Sequence, residues 1–110
     1  MSDIKQALKA LTSRILEGDG KASPSERRAA FNNSGLAEPA ATLVDKVARH
    51  AYRVTDADIT SARDSGLSED QVFEIVVCAA IGEATREYDT ALASLGSQFG
   101  RSENAASNPR

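Results

Sequence analysis

Tryptophan is absent, and Phe31, Phe73, Phe99, Tyr52 and Tyr88 are the only aromatic residues. A core so poor in rings has to be filled by Ala, Leu, Val and Ile, which suits close helix–helix packing. Cys78 is the one cysteine, so no internal disulfide can form. No apolar run approaches the ~18 residues of a membrane span, and the N-terminus lacks a signal peptide's apolar stretch. A cytoplasmic location and no membrane partner are the resulting expectations. Positive charge is not in excess either. The formal net charge of −3 lacks the electrostatic footprint of a nucleic-acid binder, so no nucleic-acid partner is expected.

What is present is ordinary globular composition, 41% hydrophobic and 26% charged. A chain of 110 residues is enough for one domain, and at that size folding buries roughly two-thirds of the unfolded surface. Periodicity is helical throughout. Ile4, Leu8, Leu11 and Ile15 form one stripe over Ser2 to Glu17, and Gly18-Asp19-Gly20 ends that segment. Ser23-Pro24-Ser25-Glu26 reads as a capping box with Pro at the first helical position, opening a short helix that stops by Asn32-Asn33-Ser34-Gly35.

Pro39 opens a third helix with Leu43, Val47, Ala51 and Val54 on its apolar side. Lys46, Arg49 and Arg53 fall on the other side, toward water. Thr55 and Asp58 are spaced as another box, so the chain is expected to break near Arg53–Thr55. The brief fourth helix ends at Gly66. Ser68 and Gln71 form a third box and start a long helix to about Leu95. From Val72 to Ile81 that helix is apolar on nearly every side except Glu74. Residues 97–110 are polar and without period, and are expected to be a disordered tail behind a single helical domain of residues 1–96. The expected fold is all-α, with about five helices and no strand.

Four other helices, two of them short, cannot surround so apolar a helix, and Ala79-Ala80-Ile81-Gly82 permits close approach of another backbone. A partner subunit resolves the burial problem, and identical copies are the commonest partners. The competing account is a compact monomer with an over-hydrophobic helix.

Several local signals point to chemistry, and most dissolve on inspection. Gly18-Asp19-Gly20-Lys21 is not a phosphate loop, because Ile15 stands where its first glycine is needed and Ala22 where a Ser or Thr should hold magnesium. Cys78, between Val77 and Ala79, reads as a buried small hydrophobe rather than a reactive thiol. Asp56 and Asp58 fall in a first helical turn, where the helix dipole favours carboxylates, so no metal is expected. His50, the only histidine, borders the apolar stripe of the third helix. Glu83 lies on the line through Val72, Val76 and Ala79, which carries it toward the buried side, and Arg86 can pair with it at i+3. Such a pair is structural or marks a site.

From Leu43 to Leu95 the order of features resembles the carboxymuconolactone decarboxylase and alkylhydroperoxidase D-like superfamily. The residues that carry the resemblance are Leu43-Val44-Asp45-Lys46-Val47-Ala48-Arg49-His50, a helix break, and Ala62-Arg63-Asp64-Ser65-Gly66-Leu67-Ser68 leading into a long Ala-rich helix. In that family a Cys-x-x-Cys-x-x-x-His segment precedes the turn. Counting back from Gly66 places Ala51 and Val54 at the cysteine positions and Asp58 at the histidine position. The resemblance implies an alkylhydroperoxidase D-like helical bundle that forms homo-oligomers, commonly trimers or hexamers, with a cavity near the helix break. It does not imply thiol peroxidase chemistry, which needs a nucleophilic and a resolving thiol. Decarboxylase-type acid–base chemistry on a small organic acid or lactone stays open, without a cofactor.

Two functional expectations follow. In the first, His50 and Glu83 are the catalytic candidates, one or the other moving a proton, while Arg86 and Asp58 bind a small-molecule ligand, Arg86 by holding the ligand's carboxylate. In the second, the chain is a non-catalytic homo-oligomeric interaction protein. A polar cavity at the break between the third and fourth helices favours the first, and a filled apolar junction favours the second.

Overall fold

The computed structural model describes residues 2–97, and the described residues contain helices and no strand. The order is α1 (Ser2–Glu17), α2 (Pro24–Asn32), α3 (Ala40–Arg49), a single 3-10 turn (Ala51–Arg53), α4 (Asp56–Asp64) and α5 (Glu69–Leu95). No described helix is long and apolar enough to cross a membrane. The expected disordered tail lies, but for Ser97, outside the described residues.

All three capping boxes form. Ser23, Thr55 and Ser68 each accept from the backbone N–H three residues on, and Glu26, Asp58 and Gln71 reach back to the cap N–H. Each box satisfies two donors that a helix start otherwise leaves open. α2 closes at Asn33, whose φ of 52° puts it in the left-handed region that Asn tolerates.

α5 is the spine. α2, α3, α1 and α4 all pack against it, and the residues it buries, Val72, Ile75, Cys78, Ala79 and Gly82, all lie in its first half. One core cluster joins Leu16, Ala22, Ala30, Ala40, Val44, Ile75, Cys78 and Ala79. A second joins Leu43, Ala62 and Val72, with Val47, Val54, Ile59, Leu67 and Val76 packed against it. Burying a side chain such as Ile75 or Leu43, each 1% exposed, contributes about 1.5–3 kcal/mol. α2 approaches so closely that a Cβ on Gly82 would collide with the Phe31 carbonyl. That position requires glycine, and the close approach it permits is made by α2 of the same chain.

The expected apolar girdle of α5 is only half covered. Phe73 is 68% exposed, Ala80 is exposed, and Val76, Val77 and Ile81 are half-buried. The stripe on α1 differs from expectation in the same way. Leu16 is buried, whereas Ile4 is 52% and Leu11 39% exposed.

Candidate functional site

The chain breaks twice, at His50 and again at Val54, where the expected break near Arg53–Thr55 falls. His50 ends α3 with a non-helical backbone, φ −146° and ψ 56°, and the 3-10 turn follows at once. The break frees no anion site at the start of α4, because Asp58 already occupies it. Its carboxylate accepts from the Thr55 N–H at 2.9 Å and the Thr55 hydroxyl at 3.1 Å. It also accepts from Lys46 Nζ at 2.9 and 3.0 Å. Lys46 is therefore half-buried in an ion pair that ties α3 to α4, not displayed to water. The Lys46 hydrogen bond, with the Thr55 N–H behind it, holds the Asp58 carboxyl below its ordinary value of 3.8.

The other positions at the break are also engaged or bare. Ala51 sits exposed in the 3-10 turn instead of continuing the apolar stripe. Val54 packs on the second core cluster with Val47 and Ile59. The His50 ring is exposed and meets Tyr52 edge-on at a centroid separation of 6.0 Å. Arg53 stands over the same Tyr52 ring.

Glu83 and Arg86 come together as the spacing predicts, with Arg86 Nη2 donating to Glu83 Oε1 at 3.0 Å. Burial is less than expected, since the side chains are 28% and 41% exposed. Arg86 Nη1 donates to the Phe31 carbonyl at 2.6 Å, capping the end of α2. The pair lines an open groove of about 590 Å³ together with Arg49, Glu87, Thr90 and Ala91. His50 and Asp58 do not line that groove. Of the four candidate residues, the structure thus joins Glu83 to Arg86 and leaves His50 and Asp58 elsewhere.

A second polar cluster escaped the sequence reading. Glu74, the lone acid in the apolar stretch, reaches into the α1–α2 corner. It accepts from the Lys21 N–H at 2.9 Å and the Ala22 N–H at 2.7 Å. Gly20 lacks the Cβ that would stand 2.8 Å from this carboxylate. Desolvation opposes the charge, but the Ala22 and Lys21 hydrogen bonds and the Arg27 charge outweigh it, so its pKa is lowered. Arg27, 5% exposed, donates to the Ile15 carbonyl at 3.2 Å and the Gly18 carbonyl at 2.7 Å. It closes the end of α1, where a cation is favoured by the helix dipole. The signals were a lone acid amid apolar residues and an arginine on the face of α2 that carries Ala30. Cys78 lies beside them, 1% exposed, and burial pushes its thiol pKa up, the reverse of what a nucleophile needs.

Comparison with known proteins returned no match to any family model, curated protein or solved structure.

Proposed function

We propose that this chain is a non-catalytic helical subunit that acts by associating with copies of itself. In the terms of the resemblance, it is a non-redox, degenerate relative of the alkylhydroperoxidase D-like proteins. The observation that carries the reading is the state of the α3–α4 junction. Where that family would place two thiols and a histidine, Ala51 is bare, Val54 is packed among Val47, Ile59 and Leu43, and Asp58 is consumed by Thr55 and Lys46. A junction taken up by packed Val54 and the Lys46–Asp58 ion pair supports assembly over chemistry. Exposed Phe73, Ile4 and Leu11 supply apolar surface for it.

Light scattering at micromolar concentration tests the reading, with a mass above that of the 11.6 kDa chain as the expected result. A monomer throughout would sink it.

A second reading draws support from the groove beside Arg49 and Arg86, where two guanidiniums face an open volume. There a small organic acid would meet Arg86, with Glu83 as the proton carrier. Its weakness is that Arg86 already donates to Phe31 and Glu83. A thermal shift with small carboxylates or lactones that vanishes in Arg86→Ala would favour it over the first.

A further inference from the structure

Most of the apolar surface left uncovered lies on one side of the molecule. At 100° per residue, Phe73, Val77, Ala80, Ala84, Glu87 and Ala91 fall on one line along α5, spaced alternately four and three residues apart. Phe73, Ala80, Ala84 and Ala91 on this line are exposed and Val77 is half-buried. None of them is among the buried residues that seat α2, α3 and α4. The neighbouring part of α1 continues the surface. Arg14 and Ile15 line one depression with Phe73 and Val77, and the exposed Leu11 and Ile4 lie on that same flank of α1.

We propose that a second copy of this chain occupies this face, with the two α5 helices antiparallel and a two-fold axis between Ala80 and Ala84. The proposal rests on the self-association reading and adds to it the surface and the register. Charge decides both the occupant and the direction. The line is apolar but for Glu87, which makes no ion pair among the described residues. On one side Glu87 borders the groove that Arg49 and Arg86 also line; on the seam side its carboxylate is costly to cover unless a cation meets it there.

In the antiparallel register Ala80 meets Ala84, Phe73 meets Ala91, and Glu87 lands opposite Val77. Two guanidiniums flank that point. Arg14 borders Phe73 and Val77 from α1, and Arg63 borders Phe73 from α4. Arg63 is 53% exposed and lies 3.9 Å from Glu69, beyond hydrogen-bond range. The symmetry supplies the contact twice. A parallel pairing would instead set Glu87 beside its own copy.

The dimensions are sufficient. The line from Phe73 to Leu95 is about 33 Å long and two helices are about 20 Å wide. The face therefore covers ~660 Å² in projection, and more as accessible surface, near the ~800 Å² a side of a stable complex. Ala80 and Ala84 at the crossing let the backbones approach closely. A two-fold contact closes a dimer, or pairs within a hexamer, but by itself not a trimer.

Sedimentation equilibrium of the full chain and surface variants tests this, with circular dichroism to verify folding. Phe73→Asp is expected to raise the dimer dissociation constant at least a hundredfold. Glu87→Arg and Arg63→Glu are each expected to raise it about tenfold, and the double reversal to restore most of the loss. A wild-type chain that stays monomeric removes the reading and the inference together. A stable oligomer indifferent to Phe73→Asp leaves the reading standing and overturns this face. Loss in both single reversals with no recovery in the pair overturns the register. All three positions are exposed, so a variant that misfolds is replaced by Ala84→Glu, expected to dissociate the dimer at the crossing point.

Discussion

The two halves of α5 are one continuous helix with opposite surroundings. From Glu69 to Gly82 it buries Val72, Ile75, Cys78, Ala79 and Gly82 beneath four neighbours. From Glu83 to Leu95 it buries none, and Leu95 is 50% exposed. The first half anchors the subunit, and the second extends past most of what the subunit can cover. A helix of 27 residues, about 40 Å long, outruns a domain whose other helices have 9 to 16 residues. Helical order in the distal half comes from propagation and local pairs more than from tertiary burial.

The strongest way to break that contrast is paired truncation. Ile75→Ala is expected to cost about 4 kcal/mol, because its cavity is sealed on every side. Leu92→Ala, in the half-covered part, is expected to cost less than ~1 kcal/mol. Urea unfolding measures both, and equal losses would show the halves to be alike. At the boundary, Gly82→Val is expected to cost about 3 kcal/mol, since its side chain meets the Phe31 carbonyl of α2. The removal of a helix-interior glycine alone favours the variant by up to ~1 kcal/mol. Net stabilisation would therefore mean that α2 is not seated there.

The two inward acids sharpen the comparison further. Glu74→Gln is expected to cost about 2 kcal/mol near neutral pH, by weakening charged hydrogen bonds to Lys21 and Ala22. The Glu74 carboxyl is held below its ordinary value of 4.5, so the unfolded chain takes up this proton first as acid is added. Its contribution is therefore full above pH 4.5 and is lost as the pH falls through the native value. Thermal melts of wild type and Glu74→Gln should converge on acidification, and parallel curves would refute the assignment. Glu83→Gln is the smallest effect, within ~0.5 kcal/mol, because its pair with Arg86 is 28% and 41% exposed.

Local rules made the elements legible. Ser23, Thr55 and Ser68 announce three helix starts by their own spacing to Glu26, Asp58 and Gln71, and each box forms. Neighbourhood was harder to read. Periodicity places Glu83 on the inner line of α5, but the distal half has few neighbours to bury it. Lys46 looks like a solvent-facing lysine until α4 folds back and presents Asp58. His50 follows a helix that ends one residue before it, so its ring is not held along the apolar stripe of that helix. Glu74 and Arg27 carry no sequence mark as a pair of clasps because their partners are backbone groups of the corner after α1, which is far in sequence from Glu74. Of the candidate site, the i+3 pairing of Glu83 and Arg86 was legible, and the separation of His50 from them was not.

The Glu74 clasp also has a temporal consequence. The corner after α1 is held by a residue 53 positions later in the chain. During synthesis, the amides of Lys21 and Ala22 emerge long before the carboxylate that will cradle them. α2, α3 and α4 can form from near-neighbour signals, and Arg27 can close the end of α1 early, whereas the corner beyond that end waits for the first turns of α5. A long wait of this kind raises the contact order of an otherwise local fold. It also leaves Leu8, Ile15 and Leu16 on a nascent helix without a home, the kind of transiently exposed surface that chaperones recognise. Of the described helices, α1 is therefore made first and is placed only once α5 has begun.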